Sequence, residues 1–200
     1  GLLLPALQGA KNKGKTILCS GNLSAAGKAV IFYISDYNDW VLPCRTGSGS
    51  APVAWWTKNA GEYLGGSTDY GAKGSILVCP ANSDEIYSPE TFNTNYGYNC
   101  RCGHELDSLS VPLYGHVKMS KVRFPASALL ITDERNNTGG NKMKWDQDLF
   151  EYPRIDRRHT AGANLLFLDG HIDWGKYIAD NTPCDKPGYY WSRWANSPGQ

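Results

Sequence analysis

The chain has 200 residues with 20 Lys and Arg against 19 Asp and Glu, a formal net charge of +1 at pH 7. A balance this close argues against generic nucleic-acid binding, which needs a cationic face to neutralise phosphates, and no uninterrupted apolar run of about 18 residues marks a membrane span. Leu, Ile, Val and Phe together number only 39, but 7 Trp and 12 Tyr supply the missing apolar surface, so a folded, aromatic-rich domain is expected rather than a disordered chain.

From about Leu7 to Asp39 apolar residues recur at helical spacing, clearest at Leu23, Ala26, Val30, Tyr33 with Ile34, and Tyr37. One long N-terminal helix is therefore predicted, weakened at Gly9, Gly14, Gly21 and Gly27 by up to about 1 kcal/mol each relative to Ala. Lys11, Lys13 and Lys15 read as a solvated face. Ahead of them Leu2-Leu3-Leu4-Pro5-Ala6-Leu7 read like the tail of an apolar segment whose beginning is absent. Residues 41–74 turn to Gly, Ser, Thr and Trp, with a short helix expected near 54–63, and Ser75 to Cys79 reads as a strand stopped by Pro80. Residues 81–116 read as loop.

Val117 to Arg123 reads as strand-like, and Ala128 to Asp133 is a buried-type run. Asn164 to Leu168, then Asp169-Gly170, then His171 to Trp174 has the form of a hairpin closed by a two-residue type I′ turn. The expected fold is α+β, a long helix at 1–40 followed by a head at 41–200 built on a small antiparallel sheet. The tail carrying Cys184, Tyr189, Tyr190, Trp191 and Trp194 is expected to wrap over the sheet edge.

Six cysteines, Cys19, Cys44, Cys79, Cys100, Cys102 and Cys184, point to an oxidising compartment and disulfides, and 15 complete pairings are open. Cys100-Arg-Cys102-Gly-His104 with His116 resembles a metal knuckle only superficially. A one-residue gap on an extended segment points the two thiols to opposite faces, whereas structural zinc normally uses gaps of about two to four. No metal site and no cofactor are expected on this basis; a calcium site in the loops is not assignable. The densest polar group is His159, Asp169, His171 and Asp173, preceded by Arg157 and Arg158. Metal-dependent hydrolysis there is one reading. The favoured one makes Asp169 a turn residue, sets His171 and Asp173 on the polar side of a strand, and has His159 brace the loop before the hairpin. No nucleophile elbow, phosphate loop or dinucleotide fingerprint is present, so no enzyme is expected. Trp55, Trp56, Trp191 and Trp194 are candidates for a sugar-binding platform, weighed against plain anchoring of core and loops.

Two stretches together resemble a known family. Leu2 to Gln8, Cys19, Asn22-Leu23 and the aromatic helix end from Tyr33 to Trp40 with Leu42-Pro43 look like the part of a type IV pilin-like protein that follows its cleavage and methylation signal. His159, nine residues and then Asp169-Gly170, within Arg158-His159-Thr160-Ala161-Gly162-Ala163-Asn164-Leu165-Leu166-Phe167-Leu168-Asp169-Gly170-His171, resembles the C-terminal signature of prepilin-like proteins. Cys79-Pro80 and Tyr96-Gly97-Tyr98-Asn99 are similar to the middle of such proteins. The cleavage site itself and most of the hydrophobic helix are not in this sequence. The resemblance implies a pseudopilin-like structural subunit of a type II secretion-like or type IV pilus-like assembly, whose partners are other pilin-like subunits and secretion-machinery proteins. It also implies an inner-membrane anchor, supplied by a segment absent here, and a periplasmic or cell-surface head. A carbohydrate- or surface-binding module is the alternative.

Overall fold

The computed structural model describes residues 3–46, 54–65, 75–82, 94–99, 117–134 and 155–176. Helix α1 runs Leu3–Asp36. It begins earlier than the apolar periodicity indicated, because Pro5 sits in the first turn, where a backbone N–H has no intrahelical acceptor to lose. It stops earlier too. Asn38 and Asp39 take left-handed conformations (φ 50° and 74°), which these two residue types tolerate better than most, and the Asp39 N–H donates to the Ile34 carbonyl at 2.9 Å.

The buried positions of α1 are Cys19, Leu23, Ala26, Gly27, Ala29, Val30, Tyr33 and Ile34, a stripe at the spacing one helix face requires. They pack on a four-stranded antiparallel sheet of order β3-β4-β5-β6, formed by β3 (Tyr96–Tyr98), β4 (Leu129–Asp133), β5 (Ala163–Phe167) and β6 (Ile172–Gly175). Gly27 lets the helix approach closely, since a Cβ there would fall 2.8 Å from Leu166 Cδ1. All five residues of β5 are buried. Leu166 packs with the helix, while Leu165, Phe167 and Leu129 form a smaller cluster; alternation of side chains along a strand accounts for the split. The arrangement is α+β, and pilin-like in general shape.

Between α1 and the sheet lie β1 (Arg45–Thr46) paired with β2 (Ala54–Trp55), the single-turn helix α2 (Trp56–Asn59) and a 3₁₀ turn at Gly61–Leu64. The expected strand at 75–79 is instead a turn. The Val78 N–H returns to the Ser75 carbonyl at 3.0 Å, and the carbonyl of Leu77 is taken by the Asn95 N–H and the Thr94 hydroxyl, so no ladder is available to it. The strand expected over 117–123 reduces to a bridge between Lys118 and Trp40 followed by a 3₁₀ turn at Met119–Lys121. Asp39 caps that turn by accepting from the Ser120 N–H at 3.0 Å, and hydrogen bonds from Ser120 hold its carboxyl below the usual range.

The β5–β6 hairpin is present, but its loop has three residues, not two. The Phe167 N–H donates to the His171 carbonyl and the Gly170 N–H to the Phe167 carbonyl. Only Gly170, not Asp169, has positive φ (91°), the pattern of a type I turn followed by a left-handed residue. The type I′ signature, two successive positive φ values, occurs one strand earlier at Thr160 (55°) and Ala161 (64°), where His159 and Gly162 exchange backbone hydrogen bonds.

By length and composition α1 is long and apolar enough to cross a membrane, which corrects the reading that no such segment exists. All eight buried residues of the helix fall between Cys19 and Ile34, where most of its aliphatic and aromatic side chains also lie. The most apolar half of α1 is therefore the half that packs on the sheet.

Candidate functional site: a buried cysteine, histidine and carboxylate cluster

Four elements deliver one ligand-type side chain each to a single buried point. Cys19 comes from the middle of α1, Cys79 from the turn at 75–82, Asp133 from the end of β4, and His159 from the turn that leads into β5. Their sulfur, oxygen and nitrogen atoms all lie within 4.8 Å of one another. Cys19 and Cys79 are joined by a disulfide with a Cα–Cα separation of 5.4 Å, one of the candidate pairings. His159 Nε2 lies 3.4 Å from Cys79 Sγ and 3.4 Å from Asp133 Oδ1. None of the four is more than 1% exposed.

Each member is held by its own neighbours. The Cys79 N–H donates to Asn95 Oδ1 at 2.8 Å, and Asn22 Nδ2 donates to the Val78 carbonyl at 3.1 Å, so α1 and the turn are tied beside the sulfur bond. Asp133 Oδ2 accepts from the Asn164 N–H of β5 at 2.8 Å. The indole N–H of Trp174 donates to the His159 carbonyl at 2.9 Å. Arg158 pairs with Asp156 at 2.8 Å and also donates to the Glu134 carbonyl, pinning the segment that precedes His159. Nearby, burial pushes the Tyr96 phenol well above its ordinary pKa; a hydrogen bond from Asn22 partly offsets this, and the Asp133 carboxylate adds to it.

Two polar atoms of the cluster lack hydrogen bonds although buried: Asp133 Oδ1 and His159 Nδ1. Unmet buried polar atoms are uncommon and costly, about 1–3 kcal/mol each. Oδ1 lies 3.4 Å from His159 Nε2, beside the sulfur bond, without an aligned hydrogen bond.

The structure does not assemble the polar group His159, Asp169, His171 and Asp173. His159 lies at the start of β5, and Asp169, Gly170 and His171 at the loop after it; a five-residue strand separates the two by about 15 Å. Asp169 and His171 are a partly exposed pair, Nδ1 to Oδ1 2.6 Å, and the His171 ring stacks on Phe167 at 4.4 Å. His159 and His171 therefore do not share one site. The interval from His159 to Asp169-Gly170 measures one central strand with a turn at each end. At the far turn, Gly170 lies under Ile31 of α1.

Trp56 is not an exposed sugar platform. It is 1% exposed and stacked on Tyr98 at 5.4 Å, as expected in a core short of aliphatics. Trp55 belongs to β2; Trp191 and Trp194 lie outside the described residues, as do Cys100, Cys102 and Cys184. Cys44 is also disulfide-bonded. The member that sequence reasoning missed is Asp133. Its signal was a carboxylate closing the otherwise apolar run from Ala128. Comparison with protein families, with curated proteins and with solved structures finds no match to this chain.

Proposed function

We propose that the chain is the head and adjoining helix of a pseudopilin-like subunit, working through subunit packing in a type II secretion-like or type IV pilus-like assembly. The observation that carries this reading is that α1 is apolar on two sides. One side is the stripe from Cys19 to Ile34 that packs on the sheet; the other exposes Leu3 (85%), Leu7 (68%), Ile17 (71%), Leu18 (61%) and Phe32 (57%). At 100° per residue these five lie on the side of the helix away from the core stripe. A helix that served only its own core would carry polar residues there.

The partner in this reading is the equivalent helix of other pilin-like subunits, with the apolar start of α1 set toward the inner membrane and the head on the periplasmic or outer side. Small residues at Gly9, Gly14 and Gly21, whose Cβ positions meet nothing within 4 Å, would allow close helix approach. The His159 to Asp169-Gly170 interval is then a folding element that fixes β5 beneath the helix.

Photo-crosslinking tests the reading. A photoreactive residue replacing Leu18 or Phe32 in the protein expressed in its native cells should yield adducts identified by mass spectrometry as pilin-like subunits, and the same residue at Thr160, exposed on the head, should yield fewer. Equal labelling at all three positions, or adducts lacking pilin-like partners, would overturn it.

A further inference from the structure

We propose that Cys19, Cys79, Asp133 and His159, when the cysteines are thiols rather than a disulfide, form a buried tetrahedral site for Zn²⁺. The same four side chains then lock α1 to the sheet either through the sulfur–sulfur bond or through a metal ion.

All four ligand atoms lie within 4.8 Å of one another, and two of the separations already match a tetrahedral site. Bonds of about 2.0–2.3 Å at tetrahedral angles place neighbouring ligand atoms about 3.3–3.8 Å apart. The His159 Nε2 to Cys79 Sγ and His159 Nε2 to Asp133 Oδ1 separations are both 3.4 Å. The two sulfurs are closer than such a site allows, because they are bonded, and must part on reduction. Independently, Asp133 Oδ1 is buried, faces the cluster and has no hydrogen-bond donor, which is the condition of a ligand oxygen waiting for a cation. Its other oxygen is fixed by the Asn164 N–H, so the carboxylate is already oriented. Two thiolates, one imidazole and one carboxylate in tetrahedral array favour zinc over calcium or magnesium, which take oxygen ligands in larger number. His159 Nδ1 has no hydrogen-bond partner in the disulfide form. One unmade hydrogen bond is small beside four metal–ligand bonds.

A dithiol, or a trialkylphosphine and water, gives two electrons and two protons to the Cys19–Cys79 bond and becomes a disulfide, or a phosphine oxide. The two thiols then release two protons as Zn²⁺ binds. Cys19 and Cys79 are shielded from solvent in the folded chain, so the choice between the two locks is made as the chain folds: oxidised first, it closes on sulfur; folded reduced with metal, it closes on zinc.

To test this, the full chain is reduced and unfolded, then refolded without oxygen in the presence of one equivalent of Co²⁺. The expected result is intense visible absorption of tetrahedral Co²⁺ with near-ultraviolet thiolate charge transfer, bleached by Zn²⁺. His159→Gln and Asp133→Asn should each weaken Co²⁺ affinity at least tenfold, about the size of loss a missing ligand or orienting group produces. The natively oxidised chain should bind none. A spectrum unchanged by Cys19→Ser or His159→Gln would mean that other cysteines hold the metal, and would overturn the proposal, as would absence of a tetrahedral spectrum. Should those variants fail to fold, X-ray absorption on the unaltered zinc-refolded chain decides. Two sulfurs at about 2.3 Å with two nitrogen or oxygen atoms at about 2.0–2.1 Å support the site, and any other shell overturns it.

Discussion

Gly162 lies directly beneath the indole of Trp174. A Cβ built on Gly162 would fall 2.4 Å from both Cε2 and Cζ2 of that ring and 2.6 Å from the Gly175 carbonyl oxygen. The same indole donates its N–H to the His159 carbonyl, so the ring cannot move aside without releasing the turn that positions His159. Gly162→Ala is expected to destabilise the protein by about 2–3 kcal/mol, in the upper range for overpacking, because part of the obstruction is backbone. Chemical denaturation measures it; a loss under about 0.5 kcal/mol would mean that the ring is not fixed.

Thr160 and Ala161 adopt left-handed backbone conformations in the turn between His159 and Gly162, and both are exposed. For a β-branched residue this region is strained, while Asn enters it more easily. Thr160→Asn should therefore raise stability by about 0.5–1 kcal/mol, visible as a rise of about 1–4 °C in Tm. A fall in Tm would show that the threonine hydroxyl makes a contribution larger than the strain.

Tyr96 is buried against Asn22 and Asp133, and its phenol is shifted up, chiefly by burial. A group whose folded pKa exceeds its unfolded value of about 10 stabilises the fold fully below pH 10 and loses that contribution as pH rises toward the folded value. Stability should be flat up to about pH 10 and then decline. Tyr63, shifted up to about 12 chiefly by desolvation and donating to Asp36 Oδ2 at 2.8 Å, adds a decline of the same sign that ends at a lower pH. Tyr96→Phe should flatten the alkaline decline; an unaltered slope would assign it to other groups.

Leu18 and Leu23 lie on one helix in opposite circumstances, 61% and 0% exposed. Leu23→Ala should cost about 2–4 kcal/mol, as transfer and cavity terms add in a packed core. Leu18→Lys should change the stability of the isolated chain by no more than about 0.5 kcal/mol, while impairing co-purification with pilin-like subunits in cells. Large destabilisation by Leu18→Lys would place that side chain in the core of its own fold.

What the sequence determined by itself is what local periodicity encodes. The spacing of Leu23, Ala26, Val30 and Tyr33 gave the face of α1, and the runs at Ala128 to Asp133 and Asn164 to Trp174 gave three of the four strands of the main sheet. Where a signal depended on partners, it misled. The apolar stretch at 75–79 had no strand to pair with, and Asp169-Gly170 made a three-residue loop because only Gly170 took the left-handed conformation. Tertiary structure alone decided that Cys19, Cys79, Asp133 and His159 meet. They are spread over 140 residues of sequence, and no local pattern constrains atoms on four separate elements. Their convergence follows from how α1 crosses the sheet, where Gly27 fits under Leu166, and from the register that sets the Asn164 N–H against Asp133.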